Sequence, residues 1–70
     1  MDYRNEIVCE LLKADGSLSQ GSLRRCITQL ARNRDERFDK ESYLGALDDL
    51  IHLKRVKPED GNWILLRKTQ

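Results

Sequence analysis

Cysteine is scarce in this sequence, and so are the features that mark secreted or membrane proteins. Cys9 and Cys26 are the two cysteines in 70 residues, and a small secreted scaffold held by disulfides needs more. No apolar run approaches the roughly 18 residues that span a bilayer. The first residues also lack the basic region and apolar run of a secretion signal. We therefore expect a cytoplasmic protein without membrane contact, or one of the host cytoplasm or nucleus if its source is a virus.

An excess of charge of one sign is also missing. The 13 Lys and Arg residues face 12 Asp and Glu residues, and the formal net charge of +1 excludes a histone-like polycation. Leu, Ile, Val and Phe supply about a quarter of the chain, above the roughly one-fifth below which chains stay disordered. The sequence predicts a single folded domain over residues 1–70 with one thin core.

The spacing of apolar residues predicts three helices, near residues 2–14, 19–32 and 39–54. Asp2 suits the N-cap of the first helix and Gly16 suits its end. The third helix has the widest apolar face, which predicts the central packing element. Its apolar residues are Tyr43, Leu44, Ala46, Leu47, Leu50, Ile51 and Leu53.

The second and third helices begin with the same local motif. Ser19 is the predicted N-cap of the second helix, with Leu18 before it and Leu23 in the first turn as a hydrophobic staple. The third helix repeats the pattern in residues 38–43, where Asp39 is the cap and Phe38 faces Tyr43.

After the third helix the apolar period changes to two, which predicts a β-hairpin over residues 55–67. Pro58 and Gly61 place a turn between the strands, with a loop of four to five residues. Trp63 alternates with Leu65 on the second strand, and we expect this pair to face the core. The alternative is that the pair faces outward, where an exposed Trp63 beside Arg55 is a candidate interface anchor.

The order of three helices followed by a hairpin resembles a winged-helix domain, a helix-turn-helix variant whose hairpin is the wing. The resemblance covers nearly the whole chain at the level of the fold, and it predicts an α+β class. It rests on the element order, on Leu18-Ser19 before the second helix, and on Arg55-Val56 and residues 61–65 after the third. It implies a non-catalytic protein that binds duplex DNA in transcription or replication, with the third helix as the recognition helix.

The distribution of basic residues agrees with that implication. Residues 24–40 hold six basic side chains against three acidic ones, and phosphate binding needs such clusters. The predicted phosphate contacts are Arg24, Arg25, Arg32, Arg34, Arg37, Lys40, Lys57 and Arg67. The candidate base contacts are Ser42, Tyr43 and His52.

The outward face of the third helix favours a different function. Helical spacing turns Glu41, Asp48 and Asp49 outward, and carboxylates repel a phosphate-lined groove. If the protein binds DNA, we expect the second helix and the wing to make most of the contact. The alternative is a protein-interaction module, such as an adaptor, a complex subunit or a viral or plasmid-encoded inhibitor, that docks through this acidic face or the wing. The oligomeric state stays open, with a homodimer as one alternative.

Enzymatic and metal-binding functions find no support in the sequence. His52 has no Ser or Cys partner at a diagnostic spacing and suits a helix C-terminus. Cys9, Cys26 and His52 supply three scattered ligands, short of the four of a structural zinc site. We expect no catalysis, no cofactor and no metal.

Overall fold

The computed structural model describes residues 1–66, which form three helices and three strands of an α+β domain. In chain order they are α1 (Tyr3–Lys13), β1 (Ser17–Ser19), α2 (Gln20–Asn33), α3 (Lys40–His52), β2 (Val56–Glu59) and β3 (Asn62–Leu65). The predicted class and the three predicted helices are confirmed, with ends that differ by one or two residues. Arg67, a predicted phosphate contact at the end of the predicted hairpin, lies outside the described residues.

The three helices begin at the predicted caps. The carboxylate of Asp2 accepts from the backbone N–H of Asn5 at 3.3 Å, and the hydroxyl of Ser19 accepts from the N–H of Ser22 at 3.1 Å. Asp39 caps α3 in the same way. Each cap satisfies a first-turn N–H that has no partner within its helix.

The three helices also end in the same way, with a residue other than glycine in the left-handed conformation. These residues are Asp15, Asp35 and Lys54, with φ angles of 60°, 59° and 58°. In each case the next N–H donates to a carbonyl five residues back, as Gly16 does to Leu11 at 2.7 Å and Arg55 to Leu50 at 2.9 Å. This is the Schellman motif, which satisfies carbonyls that the last turn leaves free.

The sheet differs from the predicted hairpin in two respects. A third strand, β1, pairs antiparallel with β3, and the strand order is β1-β3-β2. The loop between β2 and β3 is the pair Asp60-Gly61 rather than four to five residues. Its φ angles of 51° and 77° are those of a type I′ turn. Pro58 lies within β2 opposite Trp63, at the sheet edge, where a proline disrupts no interior pairing.

The core lies where α1 and the sheet meet the other two helices. Its buried members are Ile7, Leu11, Leu23, Ile27, Ala31, Tyr43, Ala46, Leu47, Leu50 and Val56. Trp63 and Leu65 pack against this core, which confirms the predicted inward face of β3. Leu44 and Leu53 were expected on the apolar face of α3, but about half of each is exposed. Leu44 shares the side of α3 that carries the exposed Glu41 and Asp48, and Leu53 is the cap residue after the last helical turn.

The arrangement of the helices and sheet is compatible with a winged-helix layout. Helix α1 packs against both α2 and α3, whereas the backbones of α2 and α3 make no close approach to each other. Three rings connect the beginning of α1 to the beginning of α3. They are Tyr3, Phe38 and Tyr43, with centroids 5.3 to 6.4 Å apart.

Candidate nucleic-acid interface

Helix α2 contains no acidic residue, although the chain contains 12. Its charged side chains are Arg24, Arg25 and Arg32, and all three are exposed. They line a shallow depression of about 310 Å³ on the outer side of the helix, together with Gly21, Thr28 and Gln29. We refer to Arg24, Arg25 and Arg32 as the arginine face. Two turns of α2 therefore present three positive charges and neutral hydrogen-bonding groups.

An aromatic contact positions one end of this face. The guanidinium carbon of Arg24 lies 5.7 Å from the centroid of the Phe38 ring, a cation–π distance. Phe38 lies between Arg37 and Lys40 in the chain, and both of these side chains are exposed. The contact thus brings the segment with two further predicted phosphate contacts to the first half of α2. Sequence reasoning missed it because it joins residues that are 14 apart.

Two of the other predicted phosphate contacts form ion pairs within the molecule. Arg34 donates to the carboxylate of Glu6 at 2.8 Å, and the ammonium of Lys57 lies 3.3 Å from the carboxylate of Glu59. The Lys57–Glu59 pair is exposed, and exposed pairs are worth about 0 to 1 kcal/mol, so Lys57 can exchange its partner for a phosphate. The carboxylate that Arg34 binds is only 14% exposed. Each of the two cations has part of its charge neutralised already.

The described part of the hairpin contains few basic residues. Lys57 is the single basic residue between Val56 and Leu65, and two acidic residues lie at the turn, Glu59 at the end of β2 and Asp60 after it. A negatively charged turn repels phosphate. In the described part of the chain, the predicted contacts that form no ion pair are Arg24, Arg25, Arg32, Arg37 and Lys40.

The structure excludes one candidate base contact and leaves two exposed. Tyr43 is 3% exposed and belongs to the core, because it is the N4 residue of the staple with Phe38. Ser42 is exposed, and its hydroxyl donates to Asp39 at 2.6 Å. That hydrogen bond is the main reason why the pKa of Asp39 lies below its usual value.

His52 lies at the opposite end of α3. Its Nδ1 is 2.9 Å from the backbone carbonyl oxygen of Asp48 and 3.8 Å from that residue's carboxylate. The carbonyl contact, and then the carboxylate charge, raise the pKa of His52. The exposed base-contact candidates therefore lie at the two ends of α3, and neither belongs to the arginine face.

The exposed side of α3 carries the opposite charge. Glu41, Asp48 and Asp49 are all exposed, as predicted, and we refer to them as the acidic face. Asp49 lies 3.9 Å from the guanidinium of Arg4 on α1. Within the described residues no ion pair joins the arginine face to the acidic face.

No family model matches the chain, and comparisons with curated proteins and with solved structures give no match either. No helix within residues 1–66 has the length and apolar character needed to cross a membrane. Over the same range, no group of three His, Cys, Asp or Glu side chains converges as a metal site would require.

Proposed function

We propose that the protein is a small, non-catalytic winged-helix regulator of transcription or replication that binds duplex DNA. The arginine face is the primary contact with the phosphates, and Arg37 and Lys40 extend it. The observation that carries the proposal is the absence of any carboxylate from α2 in a chain whose charges nearly balance as a whole. Lys and Arg that neutralise phosphates release bound counterions, which is the main source of non-specific affinity for DNA. The proposed setting is the cytoplasm, or the host cell for a viral source.

In this proposal α2 and the segment up to Lys40, the first residue of α3, lie against the DNA, and the rest of the exposed side of α3 does not. The third helix of a winged-helix domain is the expected recognition helix, but here its exposed side is the acidic face. Three carboxylates in a groove lined with phosphates would oppose binding. The phosphate contacts of α2 would position the protein on the duplex without reading its sequence.

The aromatic residues favour a double-stranded ligand over a single-stranded one. Proteins that bind single strands without sequence preference stack bases on exposed aromatic rings. This chain has four aromatic residues, Tyr3, Phe38, Tyr43 and Trp63, and each packs into or against the core. Phosphate contact without stacking suits a duplex.

The test is the affinity of charge-reversed variants for a fluorescently labelled random-sequence duplex. We expect Arg24→Glu with Arg25→Glu to weaken binding at least about 100-fold at roughly 50 mM salt, because two cations of a phosphate contact become anions. Fluorescence anisotropy measures the affinity, and circular dichroism verifies that the helices still form.

The control is a double variant of the same charge change outside the arginine face. Lys13→Glu with Lys54→Glu alters two exposed lysines at the ends of α1 and α3. We expect its affinity to fall far less, by the loss of general attraction alone. Equal losses of affinity in the two double variants would show that α2 is not the primary contact with the DNA.

The second candidate function is docking of a basic protein partner on the acidic face. The observation that favours it is Gly45, which lies at the exposed centre of α3 with nothing within 4 Å of the position of a Cβ. Glycine inside a helix destabilises it by about 1 kcal/mol relative to alanine, and here no contact within the chain requires it. An absence of duplex binding at low salt would favour this function, and Asp48→Lys with Asp49→Lys would then abolish capture of the partner.

A further inference from the structure

Exposed apolar side chains lie in, and one helical turn beyond, a groove between α1 and the end of α3. Leu12 and Leu53 are 51% and 56% exposed, the largest exposed fractions among the leucines of residues 1–66. Leu53 and Val8 line a groove of about 260 Å³ between α1 and the end of α3. Leu12 follows Val8 by one helical turn on the same side of α1. We refer to Val8, Leu12 and Leu53 as the leucine strip.

The charges around this groove indicate what covers it. Asp2, Arg4 and Arg55 line the groove beside Val8 and Leu53. A nucleic acid or a strongly acidic partner favours a rim of positive charge, and this rim carries both signs. In a two-fold symmetric contact, a residue of the first copy that touches a second residue of the other copy is matched by the reverse contact. Arg55 of each copy can therefore face Asp2 of the other. The rim is therefore complementary to itself.

We propose that the leucine strip is the surface through which two copies of this chain pair about a two-fold axis. The apolar side chains supply the buried centre, and the charged rim sets the orientation of the two copies. This inference does not rest on nucleic-acid binding.

The position of the strip leaves the arginine face uncovered in the pair. Glu6 lies on the side of α1 that contacts the end of α2, where it binds Arg34. Val8 follows Glu6 by two residues, which is roughly 200° around the helix. A partner on the leucine strip thus approaches from the opposite side of α1, and the dimer presents two arginine faces.

The size of the strip predicts a weak, reversible dimer. Stable pairs bury about 800 Å² per partner, which is about one-sixth of the 5008 Å² surface of this chain. Three apolar side chains and their charged rim can bury less area than this. We therefore expect a transient pair rather than a permanent dimer.

Sedimentation equilibrium of the full chain, without nucleic acid and up to about 1 mM, tests the proposal. The expected result is a monomer–dimer equilibrium for the wild type and at least a tenfold larger dissociation constant for Leu53→Glu, because a carboxylate would be buried among leucines. Arg55→Glu should also weaken the pair, since it places two carboxylates opposite each other. Leu44→Glu is the matched control, because Leu44 is 50% exposed on α3 outside the strip, and it should pair like the wild type.

A wild type that stays monomeric at about 1 mM would overturn the proposal, as would equal weakening by Leu44→Glu and Leu53→Glu. Circular dichroism shows whether each variant is folded. The measurement contains no DNA, so its failure would leave the proposed function intact, and a loss of duplex binding would leave the dimer intact.

Discussion

At the scale of single residues, the most unusual group is the hydroxyl of Tyr43. The side chain is almost completely buried, and within the described part of the chain its oxygen has no hydrogen-bond partner. A buried polar group without a partner lowers stability by about 1 to 3 kcal/mol. Tyr3 provides the contrast, because its hydroxyl accepts from the backbone N–H of Asp39 at 2.8 Å.

Tyr43→Phe should therefore increase the free energy of unfolding, by about 1 kcal/mol. Tyr3→Phe is the matched control and should decrease it by about the same amount, because Asp39 then loses its acceptor. Urea denaturation at neutral pH measures both. A lower stability of Tyr43→Phe would instead show that the hydroxyl has a hydrogen-bond partner.

The same residue makes stability depend on alkaline pH. Burial raises the pKa of Tyr43 to about 12, with the nearby Arg24 charge opposing the shift. Below pH 10 the residue is protonated in both the folded and the unfolded state. Between pH 10 and about 12 the unfolded chain loses the proton while the folded chain keeps it, so stability falls as the pH rises. Over that range the free energy of unfolding of Tyr43→Phe should fall less with rising pH than that of the wild type. An identical pH dependence of the two proteins would contradict the raised pKa of Tyr43.

At the scale of elements, the helix starts follow from the sequence much better than the sheet does. A cap such as Ser19 acts on an N–H three residues away, so its chemistry is visible in one short segment. Strand β1 has three residues, and it forms because Leu18 pairs with Trp63, 45 residues later. The hairpin loop was predicted too long because Pro58 suits a turn as well as an edge strand.

The candidate interface also combines features that the sequence predicts with features that depend on contacts between distant residues. The charges of Arg24, Arg25 and Arg32 are evident in the sequence, since they share one side of a predicted helix. The ion pair between Arg34 and Glu6 joins residues 28 apart and depends on how α1 packs on α2. Local rules contain no information about such distant pairs.

Helix ends supply a prediction at this scale. Lys54 adopts a φ of 58°, which is unfavourable by about 1 kcal/mol for a residue with a Cβ and is natural for glycine. Lys54→Gly should raise the melting temperature by several degrees. Lys54→Ala keeps the Cβ and should not. Asp35→Gly should raise the melting temperature less than Lys54→Gly does, because aspartate tolerates this conformation better than lysine. An equal or larger rise in melting temperature for Asp35→Gly would contradict the explanation.

At the scale of the whole molecule, the main feature is the separation of charge in a nearly neutral chain. The arginine face lies on α2 and the acidic face on α3, and no ion pair joins them within residues 1–66. A molecule with separated charges orients in the field of a polyanion even when its net charge is close to zero. The net charge of +1 therefore says little about nucleic-acid binding, and the placement of the charges says more.

The most direct test of the account is the salt dependence of wild-type binding to a labelled random-sequence duplex. Each neutralised phosphate contributes about −0.9 to the slope of log affinity against log salt. Three contacts from the arginine face predict a loss of roughly 40-fold between 50 and 200 mM salt, and five contacts, with Arg37 and Lys40, predict roughly 500-fold. A loss within or near this range would support a phosphate contact centred on α2. No binding at 50 mM salt, or binding that does not change with salt, would contradict it.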